Sequence, residues 1–271
     1  MVMKYALING KILNGHQDME VETGKVIFIE NEKIVAIEPY RNLDKSYQII
    51  DLQGKYILPG LINMHVHLAG NGKPQKKQKV KMLMSNPLSR KITYKVVSNF
   101  AKIELMSGVT TIRTVGGIAH YDSKLRDEIL KGKVIGPRIV ASNEGISVPH
   151  GHMAGSVAIA AHNNEEALAL VDKAKSQNVD LIKLMITGGV LDAKEKGVPG
   201  ELKMPPEMVK AVCDRAHQLG YKVAAHVESS EGVRVALENG VDSIEHGAKL
   251  DDEMIALFKE KKAFLCTTIS P

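Results

Sequence analysis

The sequence has no tryptophan, and aromatic residues make up only 4% of its 271 positions. Few rings are therefore available for bases to stack on, which argues against a nucleic-acid partner. Cysteine is also scarce. Cys213 and Cys266 are the full complement, too few to staple a chain of this length, and a reducing, cytoplasmic setting is the expectation. No apolar run approaches the ~20 residues that span a bilayer. The opening Met1-Val2-Met3-Lys4-Tyr5 lacks the basic-then-apolar layout of a secretory leader, so no membrane partner is expected.

What is present is ordinary globular material: 44% hydrophobic and 25% charged residues, which excludes a disordered or fibrous chain. The length is close to the roughly 250 residues of a single α/β barrel. The net charge of +5 is local in origin. Lys73, Lys76, Lys77, Lys79, Lys81, Arg90, Lys91 and Lys95 fall in one stretch without an acid, and the rest of the chain carries 28 basic against 31 acidic residues. A basic run of this kind reads as a solvated loop rather than a nucleic-acid-binding face.

The first 57 residues read as a small β-sandwich-like domain. Strand-like runs at Lys4–Leu13, Lys25–Glu30, Lys33–Glu38 and Gln48–Leu52 are separated by Asn9-Gly10, Asn14-Gly15, Thr23-Gly24 and Asn31-Glu32, residues that favour turns. From residue 58 to 271 the pattern alternates. Strands are expected at Gly60–Val66, Thr110–Val115, Arg138–Ser142, Asp180–Ile186, Tyr221–Val227, Asp242–Glu245 and Ala263–Thr268. Helical stretches lie between them, at Tyr94–Ser107, Asp122–Lys131, Asn164–Ser176, Pro205–Leu219, Glu231–Glu238 and Asp251–Lys261. Strand–helix repetition implies an α/β fold with a parallel sheet and right-handed crossovers. Seven strands make an incomplete TIM-like (β/α)8 barrel, one strand short of closure.

His65 and His67 lie two apart on the first of these strands and so face one side. Lys183 lies near the end of its strand, and His226 and His246 end theirs. In a parallel barrel the strand ends converge on the face that holds the active site. Four imidazoles from three strands converging there make a metal-site pattern. Taken singly, each residue has a plainer explanation: a hydrogen-bonded structural histidine, or a lysine snorkelling to the surface. Their joint placement favours the site.

Leu58-Pro59-Gly60-Leu61-Ile62-Asn63-Met64-His65-Val66-His67 resembles the metal-binding opening of the amidohydrolase superfamily. Ile182-Lys183-Leu184-Met185-Ile186-Thr187-Gly188-Gly189, Val223-Ala224-Ala225-His226 and Ser243-Ile244-Glu245-His246-Gly247 continue the likeness in order. Thr114-Val115-Gly116-Gly117, Leu125-Arg126-Asp127 and Gly136-Pro137-Arg138 are similar to the imidazolonepropionase-like branch that includes Xaa-Pro dipeptidases. The resemblance implies two divalent metal ions, zinc being the expected one. His65 and His67 would hold the more buried ion and His226 and His246 the other, bridged by a carboxylated Lys183. Burial lowers the pKa of a lysine, and the neutral amine can then take up CO₂. The implied reaction is hydrolysis of an amide or peptide C–N bond by a metal-bridging hydroxide, on a small-molecule substrate such as a dipeptide. A cyclic-amide hydrolase of the imidazolonepropionase type is the near alternative. Lys183 argues against the one-metal enzymes.

The family's proton-transferring Asp sits at the end of an eighth strand, and no residue here can be assigned to it. Asp251 and Asp252 belong to the loop or helix after His246. The catalytic base is therefore unassigned, and the expectation is a truncated or catalytically impaired member whose open sheet edges invite aggregation. His150 and His152, in the Gly-rich stretch after the third strand, and His120, at the exit of the second, are candidate substrate-binding residues. Glu228 and Ser229 read as a solvent-exposed loop start, with orientation of a ligand as the alternative. His16, His162 and His217 read as surface residues. A homo-oligomer is compatible with the sequence.

Overall fold

In a computed structural model of the chain, residues 2–41, 43–70, 80, 82–190 and 200–268 are described. Lys73, Lys76, Lys77, Lys79 and Lys81 of the basic run lie outside them. The chain divides into two compact units, Met1–Gly60 and Leu61–Pro271.

Among the described residues the first unit contains seven strands: β1 (Lys4–Ile8), β2 (Lys11–Leu13), β3 (Val21–Glu22), β4 (Lys25–Glu30), β5 (Lys33–Pro39), β6 (Gln48–Asp51) and β7 (Tyr56–Ile57). They form a four-stranded sheet of order β5-β4-β1-β6 and a three-stranded sheet of order β3-β2-β7. The run expected at Lys4–Leu13 is two strands. Asn9 breaks it with a left-handed φ of 56°, a conformation that Asn tolerates better than most residues. Asn31, also at φ 56°, turns the β4–β5 hairpin. Ala6, Ile12, Val26 and Ile27 are the buried apolar residues of this unit.

The second unit is α/β. Its strands are β8 (Leu61–Val66), β9 (Val109–Thr114), β10 (Arg138–Val140), β11 (Gly145–Ser147), β12 (Ala158–Ala160), β13 (Leu181–Met185), β14 (Lys222–Val227), β15 (Ser243–His246) and β16 (Phe264–Cys266). The helices between them are α1 (Pro87–Met106), α2 (Tyr121–Leu130), α3 (Asn164–Ser176), α4 (Pro206–Gln218), α5 (Ser230–Glu238) and α6 (Asp252–Lys261). The expectation of seven strands missed β11 and β12. Each is three residues long and lies in a stretch rich in Gly and Ala, too short and too poor in branched side chains to show an alternating pattern.

Every pairing between these strands is parallel. One sheet runs β10-β9-β8, the other β12-β11-β13-β14-β15-β16. The two meet where the Asp180 amide donates to the Ala141 carbonyl (2.7 Å) and the Ala141 amide donates to Asp180 Oδ2 (2.8 Å). Apart from β11 and β12, the strands follow chain order with a helix between neighbours, the winding of a TIM-like barrel. Among the described residues β8 pairs only with β9, and β16 only with β15.

Local chemistry sets the helix boundaries. Asn86 and Ser89 form a reciprocal capping box at the start of α1, so that helix begins well before Tyr94. Asn163 caps α3 by accepting from the Glu166 amide (2.9 Å), and Ser229 caps α5. Asp251 caps α6 by accepting from the Met254 amide (2.8 Å), a structural duty that accounts for this acid. The larger apolar core packs β13, β14 and β15 against α3, α4 and α5 through residues such as Ile182, Leu184, Val209, Val223, Val233 and Ile244.

Candidate active site

The histidines predicted from the sequence converge. The His65 ring centroid is 5.1 Å from that of His67 and 4.7 Å from that of His246, and His246 is 4.7 Å from His226. His152 joins them, its ring stacked on His226 at 3.9 Å with an interplanar angle of 7°. Lys183, on β13, is 1% exposed, and its Nζ is buried without a hydrogen-bond partner among the described residues. It is therefore not a snorkelling side chain. His226 is on β14, next to β13 in register, with Lys183 opposite Ala224.

Burial governs the charge state of this cluster. Desolvation, reinforced by the neighbouring imidazoles and Lys183, takes His67 down to about 4 and His246 to about 3. It also pushes His226 well below, and His65 below, the usual imidazole value. The four rings are thus neutral near pH 7, and a neutral imidazole has a lone pair to give. Burial likewise lowers Lys183 to about 8, against the opposing pull of the Glu245 carboxylate.

Hydrogen bonds decide which nitrogen is free. His67 Nδ1 donates to the Gly116 carbonyl (2.9 Å), and a carbonyl only accepts, so Nε2 keeps the lone pair. Gly116 has φ 124°, and a Cβ there would lie 3.3 Å from His67 and Met185. Gly189 makes room for the stacked pair, since a Cβ on it would come within 2.7 Å of His152 and 3.0 Å of His226. His246 Nδ1 contacts Thr268 Oγ1 at 2.6 Å. Its own backbone is left-handed, with φ 71°, a strained state that costs of order 1–3 kcal/mol and clusters at functional sites.

Two charged residues that sequence reasoning did not place in the site, Arg113 and Glu245, stand beside it, as does Glu228, placed there only as an alternative. Glu228 is not an exposed loop start. It accepts from the Val190 amide (3.1 Å), and its Oε1 is 3.8 Å from His226 Nε2. Potential ligand atoms of His226, Glu228 and His246 all lie within 4.8 Å of one another. Glu245, fully buried, meets His65 Nδ1 at 2.9 Å and Arg113 Nη2 at 2.6 Å. The signal was present in Ser243-Ile244-Glu245-His246. A carboxylate in the middle of a buried strand needs a partner, but nothing in the sequence says that the partner is Arg113, 132 positions away.

His120 is exposed, with its ring centroid 5.9 Å from that of Tyr121. His150 lies in the wall of a cavity of about 520 Å³, with Met84, Ile118, Glu144, Ala154 and Ile159. Of the three candidate substrate-binding histidines, the structure thus brings His152 into contact with the cluster. His16, His162 and His217 are exposed or half-exposed, and the latter two pair with Glu166 and Asp242.

The donor set fits a divalent cation: neutral imidazoles suit zinc and similar ions, and ligand atoms of His226, Glu228 and His246 lie within reach of one another. The buried Lys183 amine, without a hydrogen-bond partner among the described residues, lies close enough to act electrostatically on these imidazoles. Parallel strands that bring such a set together toward their C-terminal ends define a TIM-like α/β protein with a candidate metal centre. The chain belongs to the Amidohydrolase family, whose profile matches residues 56–265. It is 34% identical to a putative prolidase from Bifidobacterium longum of known structure, covering 98% of this chain and 61% of that one with a TM-score of 0.79. A Xaa-Pro dipeptidase with methionine bound in its active site is 30% identical, with a TM-score of 0.81 over 98% of this chain and 67% of that one. An uncharacterised protein of Mycobacterium tuberculosis is 27% identical over 250 residues, which is 92% of this chain and 58% of that protein. The chain thus spans about three fifths of the length of these relatives. Among the described residues, no helix is long and apolar enough to cross a membrane.

Proposed function

We propose that this chain carries the metal centre of a hydrolase of amide or peptide C–N bonds, with dipeptides of the Xaa-Pro type as the substrate class. The observation that supports this best is Lys183, a buried amine without a hydrogen-bond partner among the described residues, beside imidazoles held neutral by burial. A structural lysine would have been given a carboxylate or would have reached the surface. His65 and His67 would hold one ion, and His226 and His246 the other, with carboxylated Lys183 between them. When bound, such a pair of cations supplies Lewis-acid polarisation of a carbonyl and lowers the pKa of water.

The chain's own residues have definable duties. Lys183, lowered to about 8, offers a neutral amine to CO₂ and releases a proton as the N–C bond forms. The Gly116 carbonyl turns His67. His152, stacked on His226, presents an imidazole edge at the mouth, where it would meet the substrate, with His150 and His120 as outer contacts. Glu228, within 3.8 Å of His226, is the carboxylate best placed to hold a proton near the leaving nitrogen. The likeness to the putative prolidase and to the Xaa-Pro dipeptidase supports the substrate class.

The test is metal content by elemental analysis, together with hydrolysis of an Xaa-Pro panel, with Lys183→Ala as the control. About two ions per chain, a drop in the variant and turnover only in the wild type support the proposal. Metal uptake without turnover of any member of the panel would favour the alternative, a metal-binding chain that is catalytically impaired. Turnover of a cyclic amide but not of dipeptides would favour the imidazolonepropionase-type reading.

A further inference from the structure

His65 is held less well by its own strand than any other member of the cluster on a named strand. The β8–β9 ladder pairs Asn63 with Ile112 and next Val66 with Thr114, and the register shifts between Asn63 and Val66. Met64 and His65 are therefore passed over by the ladder, and among the described residues β8 has no second neighbouring strand. Such irregularities occur beside active sites, where they re-aim a side chain. Something other than the sheet must then fix the direction of the His65 ring.

A compact polar structure does this. Arg113, on β9, donates from Nε to the Met64 carbonyl (2.7 Å), taking the place of the missing ladder bond. Its Nη2 donates to Glu245 Oε1 (2.6 Å) and its Nη1 to Ser243 Oγ (3.1 Å). Ser243 Oγ donates in turn to Glu245 Oε1 (2.7 Å). The remaining carboxylate oxygen, Oε2, faces His65 Nδ1 at 2.9 Å. Glu245 is fully buried and the Arg113 side chain is 11% exposed, so solvent has little access to the bonds at the carboxylate, while the Arg113–Met64 bond lies at the surface. A carboxylate already clamped by a guanidinium and a hydroxyl has only acceptor capacity left.

We propose that Arg113 and Glu245 are positioning residues: together they aim the His65 ring and fix it as the Nδ1–H tautomer, with Nε2 turned toward the cluster. The inference rests on the metal-centre reading for its purpose, but its content is a statement about the metal-free protein. The hydrogen-bonded route from Arg113 and Glu245 to the cluster runs through His65, as with carboxylate partners of ligating histidines elsewhere.

The experiment has two parts. Long-range ¹H–¹⁵N correlation spectra of the metal-free full chain report the His65 tautomer directly. Nδ1–H is expected in the wild type and a mixture with Nε2–H in Glu245→Gln, whose amide can donate as well as accept. Zinc affinity by chelator competition is expected to fall about 10–100-fold in Glu245→Gln. Arg113→Lys, which keeps the charge but loses the fork, should show an intermediate loss. Arg126→Gln breaks an ion-pair cluster with Asp127 and Asp180 and should change neither reading. A wild-type His65 protonated at Nε2, or affinity within two-fold of wild type in Glu245→Gln with the tautomer unchanged, would overturn the proposal. The wild-type spectrum decides even if the variants fail to fold. A chain that binds no zinc while showing the Nδ1–H tautomer would refute the metal-centre reading and leave the clamp standing.

Discussion

β8 and β14 each carry a histidine of the cluster, and they are built in opposite ways. β14 lies between β13 and β15, and every residue after Lys222 is buried. β8 has one neighbouring strand among the described residues, and only Val66 is buried. Ile62 is 64% exposed and Met64 47%, and Phe264 on β16 reaches 75%. On α1 a second apolar stripe, Leu88, Ile92, Val96, Ile103 and Met106, faces outward at helical spacing, opposite the buried Thr93, Val97 and Ala101. One half of the site is therefore aimed by close packing, and the other half by hydrogen bonds and charge. Packing fixes a side chain because neighbours fill the space around it. A polar clamp fixes it because a buried carboxylate without its donors would be costly.

The largest expected effect is at the centre. Lys183→Met should reduce metal content to at most one ion per chain and abolish hydrolysis by the loaded protein. The same change should raise the melting temperature of the metal-free form, because it replaces a buried amine that has no partner with an apolar side chain of similar length. Elemental analysis and calorimetry on one preparation check both outcomes. A gain in stability with the metal retained would separate Lys183 from the centre.

The next effects test the strand contrast directly. Ile244→Ala, at a fully buried position of β15, is expected to cost about 2–5 kcal/mol by denaturant unfolding. Ile62→Ala on β8 should stay within about 0.5 kcal/mol. Equal losses would mean that β8 is covered in solution and that the contrast is false.

Asp122 gives a pH signature of about 3 kcal/mol, built from one group away from the histidines. Burial raises its carboxyl to about 6, against the Thr114 hydrogen bond, and its Oδ2 has no hydrogen-bond partner among the described residues. Unfolded, the group titrates near ~3.9. The native state thus binds more protons between these values, and stability should fall as pH rises from about 4 to about 6. Asp122→Asn should flatten that part of the profile, and an unchanged slope would remove Asp122 as its source.

The smallest effect concerns the exposed stripe. Ile92→Gln and Met106→Gln on α1 should leave the unfolding midpoint almost unchanged and lower the binding of a hydrophobic dye. An unaltered dye signal would mean that the stripe is not an accessible patch.

Much of the second unit was legible in the sequence because its chemistry is local. Helix α3 follows from an apolar repeat opened by Asn163, and β13 and β14 follow from apolar runs between helix stops such as Gly220. The histidines could be placed at strand ends for the same reason. Arg113 was not legible as a site residue, and Glu228 was legible only as an alternative. Nothing around Arg113 marks it for the site, and Glu228 reads first as the start of a loop, until the fold supplies the groups they meet. The short β11 and β12 lack the branched, alternating residues that mark a strand, and are strands only because neighbours offer them a ladder.

The sequence by itself determined the alternation of strands and helices, the donor types and their addresses at strand ends, since periodicity and side-chain chemistry are properties of neighbouring residues. Only the tertiary structure decided which nitrogen of His65 and His67 is free, that Lys183 is buried without a partner among the described residues, and that Arg113 reaches Glu245. Those facts depend on distances between groups far apart along the chain and on the exclusion of water from the space between them.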